Sequence, residues 1–178
     1  MAAATPEAHP EVVILMGSAS DWKHVRRAVS VLEDLGVSFD VRVSSAHRTP
    51  ERTVELVQSA EAKGCRVFIC AAGMAAHLAG VVAAHTVRPV LGVPLPGGVL
   101  DGVDALLSTV QMPAGVPVAT FAVGSAGARN AAFFAAQIIS GERPELGSAL
   151  EEARRASGAK VVAADREIEA ELKGEGEH

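Results

Sequence analysis

The sequence predicts an α/β fold in which a five-stranded parallel sheet carries helices on both faces. Short apolar runs alternate with longer helix-like segments along the 178 residues, a pattern typical of repeated strand–helix units. The first apolar run, VVILM at 12–16, contains no polar residue, as expected of a parallel strand buried on both faces. Hydrophobic residues make up 49% of the chain, enough to fill the core of one domain of this length.

Each predicted strand is an apolar run bounded by turn-forming or charged residues. The predicted strands lie at 12–16, 37–43, 67–71, 89–93 and 116–123. Helices are predicted at 21–35, 50–63, 75–85, 102–110, 126–140 and 145–172. Gly36 and Gly64 follow the first two helices, where glycine commonly ends a helix. The preferred topology is a flavodoxin-like three-layer α/β/α arrangement with strand order 2-1-3-4-5 and an added C-terminal helix.

We expect a single domain at residues 11–172, with disordered tails at 1–10 and 173–178. The N-terminal segment has no basic region followed by an apolar one, so no signal peptide is predicted, and no apolar run is long enough for a membrane span. Cys65 and Cys70 flank or lie in one predicted strand. We expect them on opposite faces of it, as reduced core residues of a cytoplasmic protein.

The predicted helix near residue 130 is unusual because the stretch 131–139, AAFFAAQII, is apolar on nearly all sides. Such a helix is expected to be buried on all sides. A sheet covers only one face, so the C-terminal helix or another subunit must cover the rest, which favours a homo-oligomer.

Composition argues against several classes of partner. The net charge is −5, which disfavours a nonspecific binder of polyanions such as nucleic acids. The chain has no Tyr and one Trp, so it lacks the aromatic platforms on which single-stranded nucleic acid stacks. A local basic pocket remains compatible with this composition.

The segment 44–50, SSAHRTP, carries the most specific functional signal. It follows the second predicted strand and precedes a helix, at the sheet edge where ligands bind in open α/β sheets. The imidazole of His47 can move protons near neutral pH, and the guanidinium of Arg48 can hold a phosphate through paired hydrogen bonds. Together they suggest an enzyme for a small phosphorylated substrate. The alternative is a loop whose charged side chains only face solvent, since such a loop has the same composition.

Two further loops are expected at this edge. The segment 17–21, GSASD, opens the first helix, where backbone N–H groups and serine hydroxyls attract anions. Asp21 either accepts hydrogen bonds from ribose hydroxyls or only caps the helix. The segment 17–21 matches neither the dinucleotide-binding fingerprint nor the P-loop motif. In the third loop, 71–78, Gly73 allows close backbone approach, whereas His77 is either functional or a structural histidine.

Glycine- and proline-rich segments at 92–98, 111–117 and 124–127 are either simple turns or three walls of a pocket with many backbone donors. No pair of histidines or cysteines has the spacing of a metal site. His9 and His24 are interpreted as surface residues.

Five motifs occur in a fixed order along the chain: MGSASD at 16–21, SAHRTP at 45–50, AAHL at 75–78, GVP at 92–94 and VQMPAGVPV at 110–118. Together they resemble the PurE family, most closely its class I members, over residues 11 to 140. The resemblance implies a 5-(carboxyamino)imidazole ribonucleotide mutase of purine synthesis, a homo-octamer and no metal or organic cofactor. It also implies that His47 is catalytic and that His77 is a second active-site histidine. The predicted substrate-binding residues are Gly17, Ser18, Ser20, Asp21, Ser45, Arg48, Gly73 and Leu78.

The third loop departs from the family's common pattern, because Ala71, Met74 and Ala79 replace a Gly, a Gly and a Pro. The PGG sequence at 96–98 also differs from the common small polar version. Arg48 separates the chain from class II members, which resemble it but carry Lys there and use CO2 directly. Two alternatives remain: direct carboxylation of aminoimidazole ribonucleotide, and a nucleotide-binding module without catalysis.

Overall fold

The computed structural model describes residues 9–174 and places five strands in one parallel sheet of order β2-β1-β3-β4-β5. This confirms the predicted flavodoxin-like topology. The strands are β1 Val12–Met16, β2 Phe39–Val43, β3 Val67–Gly73, β4 Val90–Leu95 and β5 Ala119–Thr120. The helices are α1 Trp22–Asp34, α2 Pro50–Ala62, α3 Leu78–Ala83, α4 Val103–Val110, α5 Ser125–Ser140 and α6 Pro144–Gly174. A short 3-10 helix, Ala19–Asp21, precedes α1. The expected tails fall largely outside the described residues.

Two apolar clusters lie on opposite faces of the sheet. On one face, alternate residues of β1 and β3 pack against the Ala-rich side of α5 and against α1. On the other, the intervening residues, such as Leu15 and Phe68, pack with α2 and α3. This alternation is the period of two that a strand imposes, and it explains why every residue of β1 is buried.

The first two helices end where the sequence predicts. Gly36 has a φ of 64° and Gly64 a φ of 89°, the left-handed conformation that glycine adopts without a steric penalty. After α1, the N–H of Val37 donates to the carbonyl of Leu32 at 2.9 Å. This bond closes the last turn and directs the chain into β2.

Two predicted elements are shorter than expected. β5 pairs only at Ala119 and Thr120, because Pro117 lies in the predicted range and has no N–H to donate. Helix α3 begins at Leu78 rather than at residue 75, because the left-handed Met74 (φ of 55°) turns the chain before the helix.

Within the single chain, α5 is not buried on all sides, so the expected cover by another subunit stays a prediction. Its buried side is made of small residues and Ile139, which allow close packing against α1 and the sheet. Leu146 of α6 covers part of the remaining surface of α5. Phe134 nevertheless stays 41% exposed, so α5 has a free apolar face.

Two smaller expectations are also corrected. Cys65 precedes β3 rather than lying in it, and both cysteines belong to the same core cluster instead of opposite faces. His24 is half-buried and shares a 2.9 Å hydrogen bond between its Nδ1 and the Ser125 hydroxyl at the start of α5. It therefore joins two helices rather than facing solvent.

We expect both cysteines to resist thiol reagents while the protein is folded. Both are free and buried, and burial raises the pKa of the Cys65 thiol to about 11 and that of Cys70 still further. Since the thiolate is the reactive form, Ellman's reagent should find almost no reactive thiol at neutral pH and two after unfolding in guanidinium. Rapid labelling of the native protein would contradict this.

Candidate active site

A cavity of about 640 Å³ lies at the carboxyl ends of β1, β2, β3 and β4. Every residue predicted for the site lines it: Gly17, Ser18, Ser20, Asp21, Ser45, His47, Arg48, Gly73, His77 and Leu78. The parallel sheet brings them together, since the loops that follow adjacent strands emerge at one edge. The volume is in the range of small-molecule sites.

The first wall is the loop after β1, which is held by a reciprocal cap. The Ser18 hydroxyl accepts from the N–H of Ser20 at 3.3 Å, and Asp21 Oδ2 accepts from the N–H of Ser18 at 2.9 Å. Asp21 thus closes the cap of the short 3-10 helix and makes no side-chain cap bond to α1, so the expected cap of the first helix is not formed by its carboxylate. Asp21 also faces the cavity. Its cap contact uses Oδ2.

Partial burial raises the pKa of the Asp21 carboxyl above its usual 3.8, although the Ser18 N–H and the nearby His24 act in the opposite direction. The folded state therefore binds this proton more readily than the unfolded state does. Stability from this group is greatest below the unfolded pKa and falls as pH rises towards the folded pKa.

Asp21→Asn should therefore raise the free energy of unfolding at neutral pH, where Asp21 carries a partly desolvated charge. The amide oxygen of Asn can still accept from the Ser18 N–H, so the cap survives. The gain should shrink as the pH approaches about 4. Urea unfolding at both pH values measures it, with the exposed Asp165→Asn as control. A loss of stability at neutral pH would refute the argument.

The second wall is the loop between β2 and α2. Thr49 closes it, since its hydroxyl accepts from the N–H of Ser45 at 3.1 Å and donates to the Ser45 carbonyl at 3.1 Å. The Arg48 Nε donates to the Ser45 hydroxyl at 3.4 Å. Arg48 is exposed and forms no ion pair within the described part of the chain. Its remaining guanidinium N–H groups are free to bind an anion.

His47 and His77 meet across the cavity. Nε2 of His47 lies 2.8 Å from Nδ1 of His77, and the rings are arranged edge to face with centroids 4.9 Å apart. One nitrogen must donate and the other accept, so this bond requires that one of the two facing nitrogens carry no proton. The two imidazoles come from different loops and form a unit that can store and pass one proton.

The third wall combines the loops after β3 and β4. Gly73 pairs with Leu95, and a Cβ on Gly73 would lie 3.4 Å from the Leu95 carbonyl oxygen, so the chains approach closely. Met74 follows with a φ of 55°, a conformation that costs a residue other than glycine about 1–3 kcal/mol. The side chain is 62% exposed. This strain lies on the cavity wall.

Four lining residues were not named individually as site residues from the sequence: Ala46, Ala72, Met74 and Ala75. The loop 96–98 lies in a segment that was expected as a possible pocket wall, and it also lines the cavity. The sequence signal for Met74 was its replacement of a family glycine, and the signal for 96–98 was its glycine content. The segments 111–117 and 124–127, also considered as walls, do not line the cavity. Residues 9–174 hold no cluster of three or more His, Cys, Asp or Glu side chains suited to a metal.

Comparison with known proteins identifies the family of the chain. A sequence model of the family described as AIR carboxylase matches residues 11–160. The chain belongs to the AIR carboxylase family. The chain is similar to an N5-carboxyaminoimidazole ribonucleotide mutase from Brucella melitensis, with 51% identity over 82% of this chain and 90% of the relative. The mutase of the same name from Bacillus subtilis is 49% identical over 82% of this chain and 90% of its own length.

The chain is also similar to a solved structure of PurE from Treponema denticola, with a TM-score of 0.80 and 29% identity. The match covers 89% of this chain and 98% of the solved chain. Within the described residues, no helix is both long and apolar enough to cross a bilayer.

Proposed function

We propose that this protein is an N5-carboxyaminoimidazole ribonucleotide mutase, an isomerase of purine biosynthesis. The observation that carries the proposal is the His47–His77 pair in a cavity that also holds Arg48 and the anion-binding loop 17–21. The relatives of that name, about half identical over most of the chain, support it. The substrate is a small ribonucleotide, and neither a nucleic acid nor a membrane is a partner.

The reaction moves a carboxylate from the exocyclic nitrogen of the imidazole to a ring carbon. His47 first donates a proton to the carbamate nitrogen, the N–C bond breaks and CO2 leaves. The ring carbon, which is enamine-like, then attacks CO2 to form the new C–C bond. Finally this carbon returns its proton to His47 and the ring regains aromaticity. No proton is gained or lost overall, so one acid–base group suffices.

The other cavity residues have binding roles in this proposal. Arg48 and the serine-rich loop 17–21 hold the phosphate, because the guanidinium and the loop N–H groups are donors. The Asp21 carboxylate, which faces the cavity, accepts hydrogen bonds from ribose hydroxyls. Ser45 orients Arg48, His77 positions His47, and Gly73 and Leu78 form the wall against the base. No metal or organic cofactor has a place in this chemistry.

Ultraviolet monitoring of the purified protein with carboxyaminoimidazole ribonucleotide tests the function directly. The protein should form the carbon-carboxylated isomer without added bicarbonate, and a chelator should not change the rate. Turnover only of aminoimidazole ribonucleotide with CO2 would instead show a direct carboxylase. Binding without any turnover would show a nucleotide-binding module.

Arg48→Ala should weaken binding of the ribonucleotide by about 10- to 150-fold. The loss corresponds to one charge-assisted contact with phosphate, about 1.5–3 kcal/mol. Calorimetric titration measures it, with Arg52→Ala as a matched control, since Arg52 is an exposed arginine one turn into α2 that does not line the cavity. Equal affinities of the two variants for the ribonucleotide would show that Arg48 does not bind the phosphate.

We also propose that the chain assembles as a homo-oligomer, an octamer as the family resemblance implies. Phe134 on α5 is partly exposed, and the distal part of α6 exposes Val161, Ile168 and Leu172. These apolar faces need a partner surface, and a second copy of the chain supplies one. A stable monomer in light scattering at micromolar concentration would contradict this.

The unit that carries this function is proposed to be a single catalytic domain at residues 11–172. We propose the cytoplasm as its compartment, where Cys65 and Cys70 remain thiols.

A further inference from the structure

Met74 is strained although its side chain is not part of the core. Its φ of 55° is one of two positive values at residues other than glycine within 9–174, and its side chain is 62% exposed. A residue in this conformation that gains no burial in return marks a local role at the site it borders. Met74 lines the cavity that holds His47 and His77.

The side chain extends towards the loop after β4. A Cβ built on Gly98 would lie 3.4 Å from Met74 Cγ, so the methionine packs over this glycine. Gly97 and Gly98, which also line the cavity, both have positive φ values and carry no side chains. Met74 is therefore the apolar bulk that joins the two loops across this part of the rim.

We propose that Met74 is a retention residue that keeps CO2 in the cavity between loss from nitrogen and capture by carbon. The inference rests on the proposed mutase function. Free CO2 is small, neutral and apolar, so a retaining wall needs apolar bulk rather than hydrogen bonds. A thioether on a flexible, unbranched chain supplies such bulk and adapts to a changing ligand.

The test follows the fate of substrate labelled with carbon-13 on the carbamate carboxylate. The measurement compares three proteins: the parent, Met74→Gly and Met74→Leu. For each, the label is counted in released CO2 and in the carbon-carboxylated product, and the CO2 that the substrate loses without enzyme is subtracted. Met74→Gly should release CO2 several-fold more often per product formed, whereas Met74→Leu keeps the bulk and should stay near the parent. Thermal unfolding should show Met74→Gly folded and no less stable than Met74→Leu, because glycine relieves the positive φ.

Each outcome separates the two proposals. If the parent forms product and Met74→Gly partitions label as the parent does, Met74 does not retain CO2 and the mutase function stands. If Met74→Leu leaks as much as Met74→Gly, apolar bulk is not the property that matters and the proposal fails. If the parent forms no carboxylated product at all, both the function and the retention role are wrong.

Discussion

His47→Asn should lose turnover by about 10⁴-fold or more, at the upper end of what general acid–base catalysis contributes. The same imidazole serves two proton steps in the proposed reaction, donation to the carbamate nitrogen and removal from the ring carbon. Asn can hydrogen-bond to His77 but cannot carry a proton at neutral pH. Because His47 is exposed and outside both apolar clusters, the fold and substrate affinity should be retained.

Asn variants of two other histidines, His77 and His85, give the comparison for this test. His77→Asn should cost less, because His77 is assigned a positioning role through its 2.8 Å bond to His47. His85→Asn is the matched control, since His85 is exposed and does not line the cavity. Within residues 9–174, its imidazole has a single hydrogen bond, from Nδ1 to the Val81 carbonyl. Steady-state rates together with ribonucleotide affinity give the comparison. Near-native turnover by His47→Asn, or a greater loss in His77→Asn, would overturn the mechanism.

Gly127→Ala should destabilise the fold by at least about 3 kcal/mol. Gly127 lies in the first turn of α5, and a Cβ there would overlap the carbonyl oxygen of Ala122. The obstacle is backbone rather than a flexible side chain, so α5 must move away from the end of β5. Because α5 packs on α1 and on the central strands, that shift would loosen much of one core cluster.

Gly147→Ala is the control for this substitution. Gly147 is also helical, but nothing lies within 4 Å of its added Cβ. Alanine should therefore stabilise there by about 0.5–1 kcal/mol through helix propensity. Urea unfolding at one fixed protein concentration, with ribonucleotide absent, measures both. Equal stabilities of Gly127→Ala and the parent would show that the backbone around Ala122 can shift to accept the added Cβ at little cost in free energy.

The sequence by itself determined the order of the helices and strands, the strand order in the sheet and ten of the residues that line the cavity. Buried parallel strands appear as unbroken apolar runs, as in VVILM at 12–16, and glycines end the helices at Gly36 and Gly64. The site loops follow strands in sequence, so the topology alone puts them on one edge. All ten predicted residues line one cavity for this reason, while their individual roles stay proposals.

Only the tertiary structure decided which groups touch. The His47–His77 bond joins residues thirty positions apart, and no local pattern encodes that distance. The burial of His24 against Ser125 and the cluster shared by Cys65 and Cys70 likewise depend on packing between elements. The exposed side of α5 reflects how little of it α6 covers. Local propensity sets which elements form, but contacts between distant elements set side-chain environments, and those appear only once the chain is packed.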